Sequence, residues 1–105
     1  MNPNTSVEIL SQLAEDENKY VRLAVAGNPN TPVETLAQLA GDKDLWVRLR
    51  VVRNPNTPVE VLVELAKDKD HSVREEAKER FTPEQWELLA KMEASEEGLT
   101  PERAA

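Results

Sequence analysis

Apolar residues return along this chain at helical intervals, and then the whole pattern returns. Leu10, Leu13 and Ala14 follow Val7; Leu36, Leu39 and Ala40 follow Val33; Leu62, Leu65 and Ala66 follow Val59. Steps of three and four residues place each set on one face of a helix. Shorter sets lie between them at i, i+4: Val21 with Val25, Val47 with Val51, and Val73 with Ala77. No stretch alternates polar and apolar residues in the period-two manner of a strand. The pattern predicts an all-α chain in which a first and a second helix alternate.

The period is 26 residues. NPNTSVEILSQLAEDENKYVRLAVAG runs over residues 2–27, NPNTPVETLAQLAGDKDLWVRLRVVR over 28–53 and NPNTPVEVLVELAKDKDHSVREEAKE over 54–79, with 12 of the 26 columns identical in all three. Thr5, Thr31 and Thr57 stand three residues before Glu8, Glu34 and Glu60. This spacing predicts a reciprocal cap, in which the threonine hydroxyl accepts from the third helical amide and the glutamate reaches back. Pro32 and Pro58 fit the first helical position, which needs no amide partner. Asn18, Asp44 and Asp70 are expected to cap the second helices. The following Asn-Pro stops those helices, because the residue before proline is driven out of helical geometry. Eight to ten residues remain for each second helix, too few to be stable alone in water. Each unit therefore needs its neighbours, which predicts a solenoid of about three stacked helix pairs.

After Glu79 the register changes. A degenerate fourth unit over 80–95 opens with Arg80-Phe81-Thr82-Pro83, and a longer helix from Pro83 to Ala94 is expected to lay Trp86, Leu89 and Ala90 over the open end as a capping helix. Residues 96–105 read as a flexible tail, although Thr100-Pro101-Glu102 resembles another helix start.

The chain of 105 residues contains no cysteine and one histidine, His71. That composition excludes disulfides, thiolate zinc sites, cysteine-ligated clusters, thiol nucleophiles and multi-histidine metal sites. No cofactor is expected. The net charge of −7 opposes nonspecific binding to nucleic acid or anionic membranes. Met1-Asn2-Pro3-Asn4 does not open a signal peptide and no apolar run is long enough to span a bilayer, so a cytoplasmic location without membrane contact is expected.

The motif Asn-Pro-Asn-Thr-Pro, then Leu-x-x-Leu-Ala-x-Asp, then Val-Arg, resembles the leucine-rich repeat variant family over residues 2–79. That resemblance implies a right-handed, HEAT-like superhelix of alternating helices, one of each pair short. It also implies a structural ladder built from an Asp and the Arg six residues later: Asp16 with Arg22, Asp42 with Arg48, Asp68 with Arg74. Each Arg is expected to pair with the Asp of its own or the next unit, so that losing Arg48 strands Asp42. The family implies surfaces that bind proteins or, in some HEAT-like branches, DNA, and carries no shared catalytic residue.

Columns that vary between units are the better candidates for recognition, since repeat geometry does not dictate them. Trp46, Arg50 and Arg53 fall on one side of the middle second helix at i, i+4, i+7, with Tyr20 and Leu49 at the border. Trp and Arg are enriched where binding energy concentrates. The bland alternative packs Trp46 against a neighbouring unit and leaves the arginines solvated. The third unit turns acidic through Glu75, Glu76 and Glu79. The first unit begins without a capping helix, so Val7 and Leu10 are expected to lie open, which makes a homo-oligomer a further expectation. Asp42-Lys43-Asp44 and Asp68-Lys69-Asp70 lack the remaining ligands of a calcium loop and read as turns and caps. His71-Ser72 has no partner base or oxyanion loop around it.

The residues point to a non-catalytic scaffold for a protein partner, engaged through the second helices. The alternatives are nucleic-acid binding through the arginine row, or a repeat unit with no specific ligand.

Overall fold

The computed structural model describes residues 6–96. Seven helices follow one another: α1 (Val7–Leu13), α2 (Lys19–Gly27), α3 (Val33–Leu39), α4 (Leu45–Arg53), α5 (Val59–Leu65), α6 (His71–Glu79) and α7 (Pro83–Glu96). No strand occurs among the described residues, and the all-α expectation holds. The expected cap at Thr5 and the expected tail beyond Glu96 lie outside the described residues.

The second helices α2, α4 and α6 are nine residues each, and their starts are the predicted ones. Asn18 accepts from the Tyr20 amide, Asp44 from those of Trp46 and Val47, and Asp70 from that of Ser72. These bonds satisfy amides that the first turn of a helix leaves without partners. α2 and α4 stop at Asn28 and Asn54, whose extended backbones lead into the following prolines.

The first helices are seven residues each, and they begin differently from the expectation. Thr31 and Thr57 do not cap. Each buried hydroxyl donates backward, to Val25 O and Val51 O at 2.6 Å, and so ties the new unit to the end of the preceding second helix. The cap position falls one residue later, on Pro32 and Pro58, which offer no side-chain bond. In α1 that position is Ser6, whose hydroxyl accepts from the Ile9 amide at 3.3 Å. Among the described residues the predicted reciprocal cap occurs only in the divergent fourth unit. There Thr82 Oγ1 accepts from the Gln85 amide at 3.1 Å, and Gln85 Oε1 accepts from the Thr82 amide at 2.9 Å.

The core follows the repeat columns. Leu10, Leu36 and Leu62 are buried, as are Leu39, Leu65, Val25, Val51, Val47, Val73 and Ala77. Removing a leucine side chain of this kind from water is worth about 1.5–3 kcal/mol, which supplies the stability that such short helices lack. Leu10, expected to lie open, is fully buried. Val7 is exposed as expected, and Val33 and Val59, at the same first helical position, are exposed too.

Packing runs mainly between second helices: α4 lies against both α2 and α6. Each second helix also meets the first helix before it. α7 departs from the expected capping arrangement. Trp86 is 42% exposed and Ala90 is exposed; the side chain of Leu89 lies outside the described residues. Trp86 instead rests beside Phe81, ring centroids 6.4 Å apart, with Lys78 Nζ 5.7 Å from its ring.

Candidate functional site

Two arginines interlock successive units. Arg22 Nη1 donates to the carbonyls of Asp16 and Glu17 at 2.8 and 3.1 Å, while Nε and Nη2 donate to the Asp42 carboxylate at 2.8 and 3.2 Å. One unit later, Arg48 Nη1 meets Asp42 O at 2.8 Å, and Nε and Nη2 meet the Asp68 carboxylate at 2.7 and 3.1 Å. The bond within a unit is therefore to the Asp backbone, and the ion pair reaches into the next unit. Losing Arg48 strands Asp68, not Asp42, whose carboxylate is held by Arg22. All four side chains are less than 10% exposed. The Asp42 hydrogen bond raises the Arg22 pKa above its ordinary value. Arg74 repeats the first half of the motif, with Nη1 2.8 Å from Asp68 O.

The aspartates also shape the turns. Asp42 Oδ1 accepts from the Asp44 amide at 2.9 Å and Asp68 Oδ1 from the Asp70 amide at 2.8 Å. With these carboxylates committed to turns, caps and guanidinium groups, no cluster of three metal-ligating side chains exists among the described residues.

A second tie runs through the asparagine column. Buried Asn54 donates from Nδ2 to Ala26 O and Asn28 O at 2.7 and 3.0 Å. Arg80 occupies the same column one period later. Its Nη1 donates to Val52 O and, at 3.3 Å, to Asn54 O, so the divergent unit keeps the tie with a longer side chain.

The predicted recognition residues separate in the structure. Tyr20 and Trp46 share one column and stand 68% and 56% exposed, so Trp46 is not packed into a neighbouring unit. Leu49 does not border them: it is 4% exposed, enclosed where α4 packs between α2 and α6. Arg53 is tied across the unit boundary, its Nε and Nη2 donating to the Glu76 carboxylate at 2.9 and 2.8 Å. That hydrogen bond raises Arg53 and lowers Glu76 from their ordinary pKa values. Arg50 lies over the C-terminal end of α2, where Gly27 leaves it room; a Cβ there would stand 3.1 Å from Nη1. Arg50 makes no ion pair among the described residues, and the negative end of the helix dipole favours a cation at that place.

The residues that sequence reasoning missed are lysines. Lys19, Lys43 and Lys69 line an open cleft of about 480 Å³ beside Asp44, Leu45, Trp46, Arg48 and Asp70. Lys19 Nζ also lies 5.5 Å from the Tyr20 ring centroid and 3.6 Å from Asp44 Oδ2. Burial pushes the Asp44 carboxyl up, but the amide donors of Trp46 and Val47 together with Lys19 outweigh it and hold the pKa below the ordinary carboxylate value. A signal existed: Lys43 and Lys69 share one column, two places before the column of Leu45 and His71 that Lys19 opens. The cleft is therefore a cationic, aromatic edge on an acidic chain. His71 Nδ1 stands 3.5 Å from Arg74 Nη2, and the Ser72 amide is taken by Asp70.

No helix among the described residues is long and apolar enough to cross a membrane. No curated protein and no solved structure matches the chain. The family model for the leucine rich repeat variant matches twice, over residues 21–44 and 45–70. Each match joins a second helix to the first helix of the following pair. Residues 21–70, which contain both interlocked Arg–Asp pairs, thus belong to the leucine rich repeat variant family.

Proposed function

We propose that the chain is a non-catalytic repeat scaffold that holds an acidic segment of a protein partner along the N-terminal edge of its second helices. In this reading, residues 2–27, 28–53 and 54–79 form successive turns of a right-handed, HEAT-like solenoid, with 80–95 as a divergent fourth unit. The observation that carries it is the placement of exposed Trp46 beside Lys19, Lys43 and Lys69, with exposed Tyr20 beside Lys19, in a chain of net charge −7. Aromatic rings supply contact area at little cost in side-chain freedom, and lysines select carboxylates from the available partners. Arg50 lies away from this edge, over the C-terminal end of α2, Arg53 is occupied by Glu76 and Leu49 serves the core.

Nucleic acid offers the same sign of charge, but its dense phosphates meet repulsion from the acidic remainder of the chain. The test is a titration of labelled acidic, neutral and basic peptides by fluorescence anisotropy, with single-stranded oligonucleotide as competitor. Binding confined to acidic peptides, weakened by salt and lost in Trp46→Ala, supports the reading. Equal binding of all three peptides, or tighter binding of the oligonucleotide, overturns it.

A further inference from the structure

Lys43 and Lys69 hold one repeat column, each standing immediately before the aspartate that caps a second helix. Both line the cleft with Trp46, both are exposed, and neither forms an ion pair among the described residues. The other charged groups there are committed. Asp44 is held by Lys19 and by the Trp46 and Val47 amides, Asp70 by the Ser72 amide, and Arg48 by Asp68. The free charge in the cleft is therefore a pair of ammonium groups beside an indole.

The spacing of that pair follows from packing. α4 and α6 lie against each other, and helices in contact stand about 8–10 Å apart. Lys43 and Lys69 enter those two helices at the same register, so their backbones are separated by a similar distance. In the polyproline II conformation three residues rise about 9 Å and bring the chain back to the same face. Carboxylates at i and i+3 of such a segment match the two lysines. Glu17 is the first member of the column and ends the cationic track, so the match is to two carboxylates.

The common ways of holding a peptide are not equally open here. Strand addition needs a sheet edge, and no strand occurs among the described residues. A helical ligand needs an apolar groove for its i, i+3, i+4 and i+7 anchors, whereas this cleft has Leu45 and Trp46 as its apolar lining and charged residues elsewhere. A polyproline II segment needs an aromatic surface and no backbone partners, and exposed Trp46 supplies that surface.

We infer that the segment held along this edge is a proline-rich one in the polyproline II conformation with acidic residues three apart. Lys43 and Lys69 each take one carboxylate, and the prolines between them lie on Trp46. The inference rests on the proposed acidic partner and adds to it the conformation and charge spacing of the bound segment.

Three labelled peptides, titrated by fluorescence anisotropy, test it. Gly-Pro-Glu-Pro-Pro-Glu-Pro-Gly carries the matched spacing. Gly-Pro-Pro-Glu-Glu-Pro-Pro-Gly has the same composition with adjacent charges, and Gly-Gly-Glu-Gly-Gly-Glu-Gly-Gly keeps the spacing without the preformed conformation. The first is expected to bind about two- to fivefold tighter than the second, the gain that one more exposed ion pair supplies. It is also expected to bind more tightly than the third, whose chain must be ordered on binding. Lys69→Ala and Lys43→Ala, each shown to be folded by circular dichroism, are expected to bind the first two peptides equally, since one lysine serves either spacing. Equal binding of the first peptide and either of the others by the wild type overturns the inference, as does a lysine variant that keeps the preference; the acidic-partner reading then still stands. A glutamine version of the first peptide that binds as tightly as the glutamate one overturns both.

Discussion

Arg48 crosses from its own helix pair to Asp68 in the next, Nε to Oδ2 at 2.7 Å and Nη2 to Oδ1 at 3.1 Å, while its third edge rests on Asp42 O at 2.8 Å. A planar fork with a fixed spread of donors fits that arrangement and an ammonium does not. The same side chain therefore closes the turn of one unit and fastens the next, and helices of seven and nine residues become mutually dependent.

Arg48→Ala is expected to destabilise the fold by about 3–5 kcal/mol, because it leaves the Asp68 carboxylate buried without its cation. Arg48→Lys restores the charge but not the two-bond geometry and recovers only part of the loss. Arg50→Ala, at an exposed arginine with no ion pair, changes stability by no more than about 0.5 kcal/mol. Urea unfolding of the three variants checks the contrast, and equal midpoints for Arg48→Ala and Arg50→Ala would contradict it.

Asn54→Ala removes the donor to two carbonyls from a side chain only 2% exposed. A cost of about 1–3 kcal/mol is expected for leaving buried acceptors without that donor. Asn56 is exposed, and Asn56→Ala is expected to cost less. Thermal melts of both variants check the order.

Asp44 supplies an acid-range dependence. Its pKa is lower in the folded chain than in the unfolded one, so the unfolded state takes up the proton first. The stabilisation is present above the ordinary carboxylate range near pH ~4 and is lost as the pH falls through the lower folded value. Asp44→Asn keeps a good capping side chain but removes the titration. Its melting temperature should fall less steeply with acidification than that of the wild type, and parallel curves would contradict the assignment.

What could be read from the sequence depended on whether a residue's task was local. Asn18, Asp44 and Asp70 cap within their own helices, and the following Asn-Pro ends a helix through backbone sterics alone. Thr31 and Thr57 were misleading because their spacing to Glu34 and Glu60 suits a forward cap. Their hydroxyls instead reach back to Val25 and Val51, which no spacing within the unit reveals. Leu49 lies in a column that reads Leu, Leu, Glu across the units. Variation suggested surface, but only the middle member is enclosed on both sides by second helices. Tyr20 and Trp46 stand out in the sequence as large rings in a variable column, and the structure exposes both. The lysines beside them went unnoticed because each, taken singly, reads as a solvated turn residue. Their convergence depends on stacking one unit on the next.

The most direct measurement of the partner reading is the peptide preference of a Lys43→Glu/Lys69→Glu variant compared with the wild type. Both lysines are exposed, and the fold should tolerate the change. If the cleft selects by charge, the wild type binds the acidic peptide, and the variant loses it and gains the basic one. An unchanged preference for the acidic peptide in the variant would contradict the account.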